Sequence, residues 1–293
     1  MPKQFEGEMC VLCRARPSSP TGEHVWPRWL LLEMFRPVDG PYSWWKSGTQ
    51  VVKRDGLPRE HASVGGVKLP VCVECNSILD RRFEKSAKRP IRLLMAQDRD
   101  VVFAGTGGMV VALWFLKTWL LLAHPAARES DPDVTPARWD SVPEELYSWL
   151  VTDQPPPAGF SIWVTRRAEE GPEPAAIRRI PLPTVVADGR SIKFRAKRAG
   201  VRLLDVSLVY HPGWEIEHPL EVEGRALRLW PRTADTEADF ASLPTVHPKD
   251  TTWLKGPTLY FLPGVFGRGD LPRLSPSFNP LDLLPRFVSQ GGW

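Results

Sequence analysis

Two stretches of the chain carry the hydrophobic pattern of helices. Beyond residue 76, apolar residues recur at helical spacing: Ile78, Leu79, Phe83 and Ala87. This spacing predicts a helix over 76–95, and we expect Pro90 to kink or end it because proline cannot donate the helical hydrogen bond. The segment 109–123 is apolar nearly all round and is interrupted by Lys117. It predicts a buried helix at the centre of a core.

Strands are predicted where β-branched and aromatic residues cluster between turn residues. The predicted strands cover 50–53, 66–69, 160–164, 191–195 and 206–210. Short helices are predicted over 27–35, where proline occupies the first turn, and over 143–150. The mixture of helices and strands indicates an α+β fold.

The elements fall into two predicted domains. Residues 1–100 hold all four cysteines. Residues 101–293 form a larger α+β region that is helical over 101–150, rich in strands over 158–232 and loop-rich beyond. The sequence shows no internal repeat, which excludes a repeat architecture.

Composition indicates a globular protein. Of the 293 residues, 42% are hydrophobic and 25% are charged, which is not the composition of a disordered chain. The formal net charge of +4 gives only weak support for a polyanionic partner. No apolar leader precedes the first cysteine pair, and the longest apolar run is too short to cross a bilayer. We therefore expect a cytoplasmic protein with no membrane contact.

The cysteines form two close pairs, Cys10–Cys13 and Cys72–Cys75, each with Cys-x-x-Cys spacing. This spacing lets one turn offer two sulfurs to one ion, and zinc accepts four thiolates in a tetrahedron. Without a secretion signal, the pattern favours metal binding over disulfides. One site made by both pairs closes a loop that contains the long segment between them, and a hairpin within that segment suits such a loop. We predict one structural zinc site made of all four cysteines.

A third motif lies between the cysteine pairs. It reads Glu23-His24-Val25-Trp26-Pro27, and Asn76 follows the second pair directly. The whole pattern, Cys-x-x-Cys, Glu-His-Val-x-Pro and Cys-x-x-Cys-Asn, resembles the HNH endonuclease superfamily, specifically bacterial members with a four-cysteine zinc site. The resemblance covers residues 8–95 and implies a zinc-stapled ββα-metal core, treble-clef-like in form.

The resemblance implies roles for three residues. His24 matches the general base that takes a proton from the attacking water, and an imidazole suits this role because its ordinary pKa lies near neutrality. Glu23 and Asn76 match ligands of a catalytic divalent ion, Mg²⁺ or Mn²⁺, which prefers oxygen donors. Simpler roles stay open: support of the zinc site or a core position for His24, and a helix N-cap for Asn76.

The pattern departs from the family at one signature position. Val67 falls near the place of the middle asparagine, which orients the histidine in relatives, and His61 and Ser63 are the nearby polar candidates to replace it. Neighbours on an ideal strand also point to opposite faces. Glu23 and His24 can therefore serve one site only if the backbone turns between them.

Two acidic residues follow Asn76 at four-residue steps. Asp80 and Glu84 are therefore expected on the same helical face as Asn76. Two roles are open for them, an addition to the metal site or pairing with the adjacent Arg81 and Arg82.

Two groups of cations are candidates for nucleic-acid contact. The predicted helix carries Arg81, Lys85, Lys88 and Arg92 on one side, and one face of a predicted strand carries Lys193, Arg195 and Lys197. Cations of this kind position a phosphate backbone without reading sequence. A solvated face without a partner is the alternative.

The sequence thus predicts a metal-dependent endonuclease of the HNH type that hydrolyses phosphodiester bonds, in DNA rather than RNA, with a role in defence or DNA processing. The first alternative is a zinc module that binds nucleic acid without catalysis, which Val67 favours. The second is a structural or partner-binding subunit in which zinc only holds the fold. A protein partner or a homo-oligomer is compatible with all three.

Overall fold

The computed structural model describes part of the chain. The described residues are 4–27, 29–30, 43–46, 49–52, 67–96, 102–103, 107–128, 142, 144–157, 159–168, 175–180, 184–187, 190–193, 195–201, 203–210, 215–231, 238–246 and 260–262. They combine helices and strands, which confirms the α+β prediction at this level.

The chain divides into two units. The first comprises Met1–Arg92, Leu113–Pro156 and Pro172–Ala175, and the second comprises Leu93–Ala112, Pro157–Gly171 and Ala176–Trp293. Most of the apolar segment that contains Lys117 therefore lies in the unit that contains the cysteines.

The first unit opens with short strands. Strand β1 (Glu23–His24) pairs antiparallel with β4 (Lys68–Leu69), and between them in the chain β2 (Ser43–Lys46) pairs with β3 (Thr49–Val52). The strand predicted over 50–53 is found as β3, shifted by one residue. The strand predicted over 66–69 is found as β4, two residues shorter. Each predicted strand has a different partner, so the two do not form a hairpin with each other.

A continuous helical segment follows β4. It consists of α1 (Val73–Leu79), a π-helical turn (Asp80–Glu84) and α2 (Lys85–Ala96). Pro90 lies inside α2 without ending it, so of the two expected effects the end of the helix is wrong, and the kink stays a prediction. Ala87 and Ile91 on either side of Pro90 are fully buried, and this packing holds the helix although one backbone hydrogen bond is lost.

The apolar segment forms the helix α3 (Gly107–Ala123), which confirms the predicted buried helix. Within the first unit, Trp114 of α3 is fully buried, and its ring lies 6.0 Å from the rings of Trp26 and Trp29. Among the described helices, none combines the length and the hydropathy of a membrane-spanning segment. The helix predicted over 143–150 is the shorter α4 (Glu145–Trp149). Of the helix predicted over 27–35, residues 29–30 are helical and residue 27 precedes the helix, while residues 28 and 31–35 lie outside the described residues.

The second unit is built around a six-stranded sheet. Its strands in spatial order are β13 (Leu227–Trp230), β6 (Phe160–Arg167), β11 (Leu204–Tyr210), β10 (Arg195–Val201) and β7 (Ala175–Ile180), with β15 (Thr245–Val246) parallel to β6. Three further ladders pair β5 (Val102–Phe103) with β14 (Ala238–Asp239), β8 (Thr184–Ala187) with β9 (Arg190–Lys193), and β12 (Glu215–Glu217) with β16 (Tyr260–Leu262). A short helix, α5, spans Pro219–Val222.

The strands predicted over 160–164 and 206–210 are confirmed, whereas the strand predicted over 191–195 is split. Lys193 pairs with Thr184, while Arg195 pairs with Tyr210. The cations Lys193, Arg195 and Lys197 therefore belong to two strands and not to the single strand expected. The physical reason is that the two halves of the segment have different hydrogen-bonding partners.

The chain enters β1 through a glycine that the local packing requires. Gly22 has a φ of +66°, in the left-handed region that glycine adopts without strain. A Cβ at this position would lie 2.3 Å from the buried ring of Phe5 and 2.9 Å from the carbonyl oxygen of Leu69. The backbone just before Glu23 is therefore fixed by close contact with the core.

We predict that Gly22→Ala destabilises the protein more than Gly7→Ala does. Gly7 has a similar φ of +81°, but a Cβ added there would have no neighbouring atom within 4 Å. Both variants lose about 1 kcal/mol from the left-handed backbone, and only Gly22→Ala loses a further ~1–3 kcal/mol from overpacking. Urea unfolding measures the difference. Equal losses would contradict the close packing at Gly22.

Candidate functional site

The four thiols converge in the first unit. The Sγ atoms of Cys10, Cys13, Cys72 and Cys75 all lie within 4.8 Å of one another. A tetrahedral zinc ion with Zn–S bonds of about 2.3 Å holds its sulfurs about 3.8 Å apart, and the Sγ atoms of Cys13 and Cys72 lie 3.9 Å apart. The predicted grouping of the four cysteines is confirmed, and the cluster has the size and donor type to hold a metal such as zinc.

Each cysteine pair is shaped by its own backbone turn. In the first pair, the N–H of Arg14 donates to the carbonyl of Cys10 at 2.8 Å, and Arg14 takes a left-handed φ of 57°. In the second pair, Cys72 is the N-cap of α1, and its Sγ accepts a hydrogen bond from the N–H of Cys75. The capping geometry therefore aims two sulfurs of the second pair in one direction.

The thiols differ in how readily they ionise. For Cys13, burial raises the pKa, but hydrogen bonds from the Ala15 backbone and the neighbouring thiols outweigh it and lower the pKa to about 7. Burial raises the pKa of both Cys72 and Cys75. Because zinc binds thiolates, binding at this cluster would release protons.

The second feature of the unit is a hydrogen bond between the Glu-His motif and the residue after the second cysteine pair. The Nδ2 of Asn76 donates to the Oε2 of Glu23 at 2.9 Å, across 53 positions of sequence. The backbone N–H of His24 also donates to the Glu23 carboxylate. Asn76 thus contacts Glu23 through its nitrogen, and its amide oxygen is the atom of this side chain that can serve as a metal ligand. The N-cap role considered for Asn76 is wrong, since Cys72 occupies that position.

The π-helical turn keeps Glu84 on the same face of the helical segment as Asn76. Glu84 follows Asn76 by eight residues, about one more than two ordinary turns of 3.6 residues contain. The π turn between them takes up the extra residue. Glu84 accepts a hydrogen bond from Trp29 Nε1 at 3.0 Å and forms an ion pair with Lys117.

The charges of Glu84 and Lys117 act on the Glu23 carboxylate. The pKa of Glu23 is raised, first by burial and then by the charge of Glu84, while the charges of Lys117 and Lys68 oppose the shift. Glu23, Asn76, Glu84 and Lys117 are called the polar cluster below. It contains two carboxylates, one amide and one ammonium group.

His24 follows Glu23 in the strand β1, so the backbone turn that a site shared by both side chains requires is not found between them. Successive side chains of a strand point to opposite faces. The backbone of His24 pairs with Lys68 in the β1–β4 ladder, and its side chain is half-buried, so it is not sealed in the core. Val67 is 5% exposed, and its carbonyl accepts from the N–H of Val25 at 3.0 Å. An apolar side chain offers no hydrogen bond to an imidazole. The substitutes named for that task, His61 and Ser63, lie outside the described residues.

The cations on the helical segment have distinct surroundings. The four predicted to face nucleic acid are exposed or half-exposed: Arg81, Lys85, Lys88 and Arg92. Lys88 and Arg92 lie 6.0 and 5.7 Å from the ring centre of Trp29, while Lys85 pairs with Asp80 at 3.6 Å. Trp29 thus carries two cations on its ring and donates to Glu84 through its nitrogen. The structure does not describe the side chains of Lys193, Arg195 and Lys197.

A cavity of about 420 Å³ borders the first cysteine pair and is a separate feature. Its lining includes Leu12, Arg14, His124, Glu144 and Tyr147. Burial, followed by the charge of Arg14, lowers the pKa of His124 to about 4, so this imidazole is neutral at pH 7. Arg14 and Glu144 form an ion pair. This neutralises the one carboxylate in the described lining, so the cavity suits a hard cation less well than the polar cluster does.

Sequence reasoning missed the roles of Trp29 and Lys117 in the polar cluster. The signal for Lys117 was present, because it is the one charge in an otherwise apolar helix. A lone buried lysine usually has a carboxylate partner. The pattern did not identify Glu84 as that partner, since the two residues lie on different helices.

The chain matches no protein-family model, no curated protein and no solved structure. The resemblance to HNH endonucleases therefore rests on the residue pattern alone. Beside this pattern, the structure contributes two observations, the cluster of the four cysteines and the contact between Glu23 and Asn76.

We predict that the purified protein contains one zinc ion per chain and that Cys72→Ser lowers both the zinc content and the melting temperature. Loss of one thiolate removes a zinc ligand, and the free energy of zinc binding contributes to folding. Serine still caps α1, because its hydroxyl can accept the hydrogen bond from the Cys75 N–H, so the loss reports on the metal and not on the cap. Ser77→Ala on the exposed side of α1 is the control and leaves both quantities nearly unchanged. Metal analysis and thermal unfolding check this. A wild-type protein without zinc, matched in stability by Cys72→Ser, would show that the cluster binds no metal.

Proposed function

We propose that the protein is a metal-dependent endonuclease of the HNH type that hydrolyses phosphodiester bonds, preferably in DNA. A structural zinc ion at the four cysteines holds the ββα arrangement formed by β1, β4 and α1. A divalent ion, Mg²⁺ or Mn²⁺, binds at Glu23 and Asn76. His24 acts as the general base.

The contact between Glu23 and Asn76 carries this proposal. The two residues lie on separate elements, β1 and α1, yet their side chains meet at 2.9 Å. A carboxylate and an amide oxygen are donors that a hard divalent ion accepts, with water completing the coordination. The residues present therefore fit the ion that the family resemblance implies.

The chemistry follows from the positions of these side chains. A divalent ion would supply Lewis-acid stabilisation of the phosphate and of the leaving 3′ oxygen. The hydrogen bond from Asn76 Nδ2 and the His24 backbone N–H hold the Glu23 carboxylate in place. His24, which is half-buried and follows Glu23 in β1, is the residue assigned to accept the proton of the water that attacks phosphorus. The products carry a 5′ phosphate and a 3′ hydroxyl.

The cations around Trp29 supply the substrate contact. Lys88 and Arg92 sit over the Trp29 ring, whose nitrogen reaches Glu84 in the polar cluster. Cations held on an aromatic ring contact phosphates, while the ring itself offers a face for a base. This surface therefore leads from the helical segment to the polar cluster.

A second candidate function is nucleic-acid binding without cleavage. The observation that favours it is the buried apolar side chain of Val67 at the position of the orienting asparagine. In the family that the pattern resembles, the residue at this position orients the histidine, and a valine side chain has no hydrogen-bonding group for that task.

We predict that the zinc-loaded protein nicks plasmid DNA when Mg²⁺ or Mn²⁺ is added and that His24→Ala lowers the rate about 10²–10⁴-fold, the usual contribution of a general base. His124→Asn is the matched control, since His124 lies in the same unit on a separate cavity. It should keep wild-type activity. Zinc content is measured for each variant, so that loss of the fold is not taken for loss of chemistry.

Two outcomes decide between the functions. Salt-dependent DNA binding by wild type and His24→Ala alike, with no nicking by either, would support the binding module and overturn the nuclease. Absence of both nicking and binding would leave only the metal-braced subunit.

A further inference from the structure

A third chain segment extends the short ladder of β1 and β4. Arg128 pairs antiparallel with Lys68 on the side of β4 that faces away from β1. The N–H of Lys68 donates to the carbonyl of Arg128 at 2.8 Å, and the N–H of Arg128 donates to the carbonyl of Lys68 at 2.9 Å. His24, Lys68 and Arg128 therefore stand in one row across neighbouring segments, called the cationic row below.

The register of the cationic row determines where its side chains point. Lys68 uses both of its backbone groups on Arg128, so His24 and Lys68 form a non-hydrogen-bonded pair, with Cα atoms about 4.5 Å apart. In such a pair the two side chains lie closest to each other. Directly opposed residues of neighbouring strands also point to the same face. All members of the row therefore share one face.

Burial identifies this face as the outer one. Lys68 and His24 are half-exposed, and the side chain of Arg128 is 46% exposed. The residues that adjoin the row along the chain and alternate with it are buried: Val25, Val67, Leu69 and Ala127. This alternation places the core on one face and an imidazole with two cations on the other.

The two cations of the row have different surroundings. Arg128 donates to both carboxylate oxygens of Glu8, at 2.6 and 3.2 Å, and its guanidinium lies 5.2 Å from the ring centre of Phe5. Glu8 thus neutralises Arg128. With the residues that the structure describes, Lys68 forms no ion pair of this kind, although its charge opposes the raised pKa of Glu23. Lys68 therefore carries the charge of the row that Glu8 does not balance.

We propose that Lys68 contacts a backbone phosphate of the nucleic acid and holds it beside His24. This role rests on the proposed function for the identity of the partner, and it adds the outer face of β1 and β4 to the nucleic-acid interface. A lysine is a compact charge on a flexible stem, which suits a phosphate contact that reads no sequence. The phosphate held there lies next to the imidazole assigned as the general base.

A simpler role for Lys68 is confined to the protein. Its charge favours the ionised form of Glu23, and a residue with that task alone would affect ion binding at Glu23 and contact no phosphate. DNA binding measured without a divalent ion therefore separates the two roles. The dependence of the affinity on salt reports the number of phosphate contacts, because each contact releases counterions from the duplex.

The test is fluorescence anisotropy of a short labelled DNA duplex with the full-length, zinc-loaded protein, over a series of salt concentrations and without added Mg²⁺ or Mn²⁺. Lys68→Gln should bind about tenfold more weakly at about 0.1 M salt and should reduce the slope of log affinity against log salt by about 1, because one phosphate contact is lost. Lys68→Arg keeps the charge and should retain the wild-type slope.

Arg225→Gln is the matched control, because it also removes one positive charge, from an ion pair with Glu223 in the second unit. It should leave the affinity and the slope unchanged. Glu8→Gln releases Arg128 and should tighten DNA binding, whereas damage to the fold would weaken it in both Glu8→Gln and Lys68→Gln. If Lys68→Gln does not fold, Glu8→Gln decides: unchanged or weaker DNA binding overturns the role of the row.

The outcomes also separate this role from the proposed function. If wild type binds the duplex and folded Lys68→Gln shows the same slope, only the role of Lys68 is overturned. An equal loss of affinity in Arg225→Gln would show an effect of net charge alone and would overturn it as well. If wild type binds no DNA, the proposed function fails together with the role of Lys68.

Discussion

The convergence of two cysteine pairs is the constraint on which the first unit depends. Cys72 both belongs to the thiol cluster and caps α1, so the place where the second pair meets the first also sets where the helix begins. Asn76 then lies in the early part of that helix, and β4 just before the pair holds β1 with Glu23. Bringing the thiols together therefore brings Glu23 and Asn76 together as well.

Around that scaffold the unit buries charge, which globular proteins rarely do without function or compensation. The compensation is visible in the polar cluster: Glu84 has two donors, Lys117 has a carboxylate, and Glu23 has Asn76 and a backbone N–H. These pairings do not explain why this part of the unit contains so many ionisable groups. The proposed function, which brings a divalent ion and a phosphate to this region, would give that concentration of charge a physical purpose.

The sequence predicts the cysteine cluster and the buried helix well, because spacing and hydropathy report directly on ligand geometry and on burial. It predicts the contact between Glu23 and Asn76 only through a family resemblance. The π turn is out of reach, since it depends on how the helical segment packs and not on its own residues. The partner of Lys117 and the splitting of the strand at residues 191–195 depend on contacts between distant segments, which local pattern does not contain.

The most direct measurement is anomalous diffraction from crystals soaked in Mn²⁺, recorded at both the zinc and the manganese absorption edges. A zinc peak at the four sulfurs and a manganese peak in contact with the Glu23 carboxylate and the Asn76 amide oxygen are expected. Zinc at the sulfurs with no manganese at these two oxygens would contradict a catalytic ion there and leave a metal-braced scaffold without the proposed chemistry.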